Sequence, residues 1–497
     1  MWNAMVLFLW LLSPSVLFAD SQDALEIGLL EAEGIALSNS VILASLKDRR
    51  EVFRMIASEK WRNYLPRVSL SYFGLKNANL NQSDSQYNDI RFQLNQLLYD
   101  GGETALEIES ATLQELLNQE DWKLSRDRLL LEMRKTYAKF LASDTKLFVT
   151  KRTKERMERL WFEMKKEREH GFLNELQIIE TKTKLRDLEL NCLKADSAKK
   201  QWEIELKKLM QFPPDTKIRW KESLHKDFFF SPIKSMDNVQ LTEKAEYKKA
   251  RLAVETTRIK KEIAENDWKP KLYLGGYYGE NTNGPLPVKN EVYGFQFTLQ
   301  TKFGSTTNQS SSHYGVQTDG TGIQRIPGFG PQFVGRGDNA FNSSTFQLFD
   351  DLSFSRKIYE GKIAHSDAIR NHRMTEANLL AELEKAKQKS KESWEMISMA
   401  NTRFEWTLEL WKSYRKKVEL GFLKESELLG AELEVLKALE ELTSALSTYM
   451  ESGAEYAFAL GLPLEEIQAF QIKKGEGNSY LKHWLDSDEV AYAPSPK

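Results

Sequence analysis

Two periodicities alternate along the chain. Apolar positions recur at Ile178, Leu185, Leu188, Cys192, Ala195, Trp202, Leu206 and Leu209. Steps of three, four and seven residues make a heptad seam, the signature of a helix packed lengthwise on another. The same spacing returns 250 residues later at Leu428, Val435, Ala438, Leu442, Ala445, Ser452, Tyr456 and Ala459. Ser452 alone does not suit a packing seam. The preceding helices align without gaps at the same offset, "LLLEMRKTYAKF" at 129–140 with "LLAELEKAKQKS" at 379–390.

The second periodicity is two. "WRNYLPRVSLSYFG" (61–74) parallels "NDWKPKLYLGGYYG" (266–279) at an offset of 204. In each, a helical stretch ends at Pro66 or Pro270, because proline cannot extend a helix and excludes its predecessor from the helical region. Alternating side chains follow: Val68, Leu70 and Tyr72, then Leu272, Leu274 and Gly276. This predicts strands over about 67–75 and 271–279. A return strand over about 87–99 puts Ile90, Phe92, Leu94 and Leu98 on one face and Gln93 and Asn95 on the other. In the second half two segments compete as the return strand. The preferred one, 292–303, alternates Phe295 and Phe297 against Gln296 and Thr298; the other, 344–354, lies where the helix alignment points. The Gly-, Ser- and Asn-rich stretch at about 304–345 reads as an irregular insertion.

A duplication follows: repeat one over 20–215, repeat two over 216–472 and a tail over 473–497, each repeat running helix, strand, strand, long helix, turn, long helix. The turns carry "GFL" at 171–173 and 421–423, and each Gly has a Pro 42 residues later. Gly102 to Gly171 allows ~100 Å of helix at ~1.5 Å per residue, too long for the core of a compact globule. The fold class expected is mainly α with a membrane β-barrel segment. Half-apolar strand pairs with open edges cannot stand in lipid, so closure requires further copies. Three chains of four strands would give a trimeric twelve-stranded barrel.

Composition narrows the chemistry. A net charge of −2 gives no electrostatic reason for a nucleic-acid partner. Cys192 is the single cysteine, so neither an intrachain disulfide nor a cysteine zinc site exists. Of the six histidines, only His365 and His372 share a helix face, two turns apart and wider than usual ligand spacing. No P-loop, nucleophile motif or dinucleotide fingerprint occurs, so no enzyme activity and no cofactor are expected. The first 19 residues read as a secretory signal, with an uncleaved anchor as the alternative. A secreted coiled-coil structural or adhesive protein is the competing function.

The order of these motifs resembles the TolC-like outer membrane efflux protein family over about 24–468. The carriers are "IALSNSVILAS" (35–45), "YLPRVSLSYFG" (64–74), "FQLNQLLYDGG" (92–102) and the two Gly-Phe-Leu turns. The resemblance implies a trimeric barrel in the bacterial outer membrane continued by a periplasmic helical tunnel. It implies an exit duct, joined by a periplasmic adaptor to an inner-membrane pump of an efflux or type I secretion system. It assigns adaptor docking to Gly171, Phe172, Leu173, Gly421, Phe422 and Leu423, although Phe172 and Leu173 can also simply cap their own helix pair. Glu427 falls where the family carries an entrance carboxylate, and Gly430 departs from a second acid there. Glu180 is the repeat-one candidate. A solvated helix-face glutamate is the alternative for both. Phe92, Leu94, Phe295 and Phe297 are expected to face lipid.

Overall fold

The computed structural model describes residues 25–77, 85–169, 175–224, 227–233, 241–282, 290–317, 323–324, 332–333, 337–423, 425–462 and 470–472. The signal segment, the tail over 473–497 and the turn residues Gly171, Phe172 and Leu173 lie outside them.

In chain order the first half holds β1 (Leu25–Ile27), α1 (Leu29–Asn39), α2 (Val41–Trp61), β2 (Arg67–Asn77), β3 (Ser85–Tyr99), α3 (Glu103–Glu169), α4 (Glu175–Leu209), β4 (Ile218–Trp220) and β5 (Phe228–Phe230). The second half holds α5 (Ala245–Asn266), β6 (Lys271–Thr282), β7 (Asn290–Phe303), β8 (Thr306–Gln317), β9 (Ile323–Gln324), β10 (Gln332–Phe333), β11 (Gly337–Gln347), α6 (Phe354–Glu419), α7 (Glu425–Leu460) and β12 (Phe470–Ile472). The long helices α3 and α6 have 67 and 66 residues, ~100 Å each at ~1.5 Å per residue.

Among the described residues the main sheet has six strands in the order β11-β8-β7-β6-β3-β2, all neighbours antiparallel. This corrects the expectation of four strands per chain and of an irregular insertion over 304–345. The preferred return segment 292–303 lies wholly inside β7, and of the competing 344–354 only 344–347 is strand, inside β11. Between them lies the hairpin partner β8. Gly304, at φ +63°, makes the tight β7–β8 turn at the helical end of the sheet. The far ends of β2, β6 and β8 all point away from the helices.

Two aspartates join sheet to helix. Asp100 accepts from the Gly102 and Thr104 N–H groups (2.9 and 2.7 Å), and Asp351 accepts from the N–H and hydroxyl of Ser353 (3.1 and 2.6 Å). Each carboxylate satisfies donors that a helix start leaves open.

The core lies midway along the helices, where α1, β1–β4 and β5–β12 wrap α3 and α7. Ile27, Leu29, Tyr137, Phe140, Leu224 and Phe228 are buried there. Glu222 accepts from Leu29 N–H (3.0 Å) and Tyr137 O–H (2.7 Å), and Arg134 pairs with buried Glu33 at 2.6 Å. Burial and the Glu222 charge push the Tyr137 phenol upward, so it stays a donor. The seam residues Leu185, Leu188, Ala195 and Leu206 are buried on α4, as are Val435, Ala438, Leu442 and Tyr456 on α7. Ser452 is also fully buried. Its hydroxyl lies 2.6 Å from Ser393 Oγ on α6, so the polar group is satisfied inside the seam.

Candidate functional site: membrane face, helix pair and tip

Strand pairing sorts the sheet into two faces. Val68, Leu70, Phe92, Leu94, Leu274, Phe295 and Phe297 share one, and all are exposed in the single chain. The four residues expected to face lipid are therefore on one surface. On the other face lie Ser69, Gln93, Tyr277, Gln296 and Ser311. The ring of Tyr277 lies over Gly294, where an added Cβ would meet its hydroxyl at 2.7 Å, and Arg91 covers the same ring at 5.3 Å. Over β2, β3, β6 and β7 an apolar face is backed by a polar one, as a sheet between lipid and water requires.

Below the sheet, the two repeats are tied by ion pairs between α3 and α7. Lys135–Glu455 (2.9 Å), Lys139–Glu451 (3.6 Å), Lys146–Glu440 (3.3 Å) and Arg156–Glu432 (2.8 Å) descend toward the tip. The last is the most enclosed, with Arg156 buried and Glu432 largely covered. Burial raises the Glu451 carboxyl, with Lys139 and Lys135 opposing. Sequence reading missed this set because its partners lie about 300 residues apart.

At the second tip, Phe422 N–H donates to Lys417 C=O (2.8 Å) and Gly421 N–H to Val418 C=O (2.9 Å). With Gly421 at φ +76°, this is a Schellman stop, which needs a left-handed residue after the helix. Phe422 is 77% exposed and Leu420 beside it 70%, while Leu423 is half-buried. Glu427 is exposed on α7. Glu180 is exposed too, and spends its charge on Lys184 at 2.6 Å.

His365 lies 3.4 Å from the Thr257 hydroxyl, and His372 packs edge-on to Tyr247. Among the described residues no group of three metal-ligating side chains comes together. A charged recess of about 600 Å³ at the sheet–helix junction holds two ion pairs, Lys60 with Glu107 (2.9 Å) and Lys271 with Glu103. Among the described residues no single helix is long and apolar enough to cross a membrane.

Residues 34–210 match the family model described as outer membrane efflux protein. Solved structures share the fold over most of the chain. The outer membrane channel CmeC of Campylobacter jejuni superposes with TM-score 0.68 at 13% identity, covering 93% of this chain and 89% of its own. MtrE, an outer membrane channel of Neisseria gonorrhoeae in its open state, gives 0.67 at 14%, covering 88% and 89%. The outer membrane protein VceC of Vibrio cholerae gives 0.67 at 12%, covering 88% and 96%. A comparison with curated protein sequences finds no match.

Proposed function

We infer that this chain, which belongs with the TolC-like outer membrane efflux proteins by the match of residues 34–210 and by its fold, is the exit duct of a tripartite efflux or type I secretion system. One observation carries the reading: the two-ended build. An apolar-faced sheet stands at one end of ~100 Å helices, and an exposed Phe422 stands at the other. Such a chain reaches from a membrane to a partner far below it.

The duct is a passive homotrimer. Its driving force comes from an inner-membrane pump, joined through a periplasmic adaptor. Open apolar edges support the assembly. On α4, Leu176, Ile179, Leu190 and Leu193 face out, and on α6, Met396, Met399 and Trp406 do. Stripes of this length are covered by another subunit rather than by water. Each stripe lies on a different edge, so the contact is heterologous and closes into a ring.

The tips at Gly171, Phe172 and Leu173 and at Gly421, Phe422 and Leu423 are the adaptor-docking points. Phe422 is the better probe, since Leu423 is half-buried. Phe422→Asp together with Phe172→Asp is expected to leave the trimer assembled and to abolish adaptor cross-linking and export, because a desolvated carboxylate is costly at an interface. Loss of the trimer in that variant would make the tips structural. Normal export would place docking elsewhere. Glu427, three copies around the axis, forms the entrance ring, and Glu180 contributes less because Lys184 neutralises it.

A further inference from the structure

Among the described residues the sheet has two open edges, and they match. β2 and β11 are its terminal strands, with 11 residues each and one neighbour each. β2 follows α2 and runs away from the helices, whereas β11 leads down into α6. Set side by side from two copies, they are antiparallel. Row by row, the pairing puts Phe346 of β11 on the same face as Val68, Leu70 and Tyr72 of β2.

The matching continues below the strands. At the foot of β11, Leu348, Phe349 and Leu352 are exposed; at the foot of β2, Trp61, Tyr64 and Leu65 are exposed. Phe349 has φ +58°, a backbone state that a bulky side chain enters only when held there, and its ring is 71% exposed. Two apolar clusters at the same level, on opposite edges of one chain, are complementary for a heterologous contact that closes on itself.

We propose that β11 of one copy pairs with β2 of the next, with Leu348, Phe349 and Leu352 seated on Trp61, Tyr64 and Leu65, so that three copies of six strands close an eighteen-stranded barrel. The proposal rests on the trimeric duct reading above and changes its pore. Closure through β7 would give twelve strands but would break the β7–β8 ladder, paired continuously from Tyr293–Val316 to Phe303–Thr306. The outward face of the added strands mixes Tyr314, Val316, Ala340 and Phe346 with polar residues, of which Asn308, Ser310 and Ser344 bond one another. Ser310 Oγ lies 3.0 Å from Ser344 Oγ, which donates to Asn308 Oδ1 at 3.1 Å. Internally satisfied hydroxyls are tolerated at a lipid-facing seam where open ones are not. Barrel diameter grows roughly in proportion to strand number, so the lumen is about one and a half times as wide as a twelve-stranded one. Ser69, Gln93, Gln296 and Ser311 on the inward face suit a large hydrated cargo.

The test is disulfide trapping in membranes with the full chain carrying Cys192→Ala. Ser69→Cys or Ser71→Cys is combined with each of Asn339→Cys, Ser343→Cys, Thr345→Cys and Gln347→Cys, since barrel stagger sets which pair is opposed. A control combines Ser69→Cys with Gln296→Cys. We expect two- and three-chain species on oxidation for a subset of the β2–β11 pairs and none for the control. Cross-linking of the control instead would mean closure through β7 and twelve strands. An assembled trimer in which no pair cross-links would equally overturn the seam. If the Cys192→Ala parent forms no trimer, the duct reading fails with it.

Discussion

Arginine at Phe297 probes the membrane face most sharply. β7 has fourteen residues, and Phe297 is the eighth, seven steps from Asn290 and six from Phe303. At ~3.4 Å per residue and a tilt of ~40°, that places it ~15–18 Å along the membrane normal from either end, beyond the half-height of a ~25 Å apolar band. Its ring is on the outward face, between Leu274 on β6 and Ser312 on β8. An arginine there costs ~2–4 kcal/mol per chain at mid-depth. At ~1.4 kcal/mol per factor of ten, each chain's insertion equilibrium shifts by ~30- to ~700-fold. Gln296, one residue earlier, faces the other way and bonds Thr298 at 3.0 Å. Gln296→Arg keeps its charge in water and is expected to change insertion little. The assay is the amount of heat-modifiable trimer in outer-membrane fractions, with parent, Phe297→Arg and Gln296→Arg expressed equally. Equal amounts for both variants would refute the face assignment, and loss of Gln296→Arg alone would invert it.

The remaining predictions probe the helices and their joints. Arg156→Ala leaves the largely covered Glu432 near the tip without its partner, at ~3 kcal/mol, the low end for a buried pair. The trimer should melt earlier, and the exchanged pair Arg156→Glu with Glu432→Arg should recover much of the loss. Hydrogen bonds from Ser353 and then Lys357 hold the Asp351 carboxyl down at about 2. A depressed carboxylate contributes stability above its unfolded value near 3.8, lost as pH falls through the folded value. Acid melting of the trimer between those limits should therefore flatten in Asp351→Asn. Burial raises Asp100, while hydrogen bonds from Thr104 and Gly102 prevail and hold it low, so Asp100→Asn should act in the same direction. Gly421→Ala meets no neighbouring atom but must hold φ +76°, so it should destabilise the tip by ~1 kcal/mol, visible as faster proteolysis there.

How far the fold was legible depended on contrast between faces. The long helices were plain because apolar residues recur every third or fourth position over many turns. The first strands were plain because Phe92 and Leu94 alternate with Gln93 and Asn95. β8 and β11 were not, since Ser310, Ser311 and Ser312 put hydroxyls on both faces and leave no alternation to read. Their strand character comes from the edge of β7, a tertiary cause. The pairs β1–β4 and β5–β12 span three residues each and join positions about 190 and about 240 apart, beyond any local pattern. Of the candidate site, the glycine stop at Gly421 was readable from residue type alone. The α3–α7 ion pairs became visible only once the helices were packed. Ser452 reads as a flaw in the seam until Ser393 is seen opposite it.

Native mass measurement of the protein extracted in detergent from outer membranes tests the central claim most directly. The chain has a mass of 57.5 kDa, and the account predicts a species of three chains as the dominant one. A dominant monomer, or recovery of the protein in the soluble fraction without detergent, would contradict a membrane duct closed by three copies.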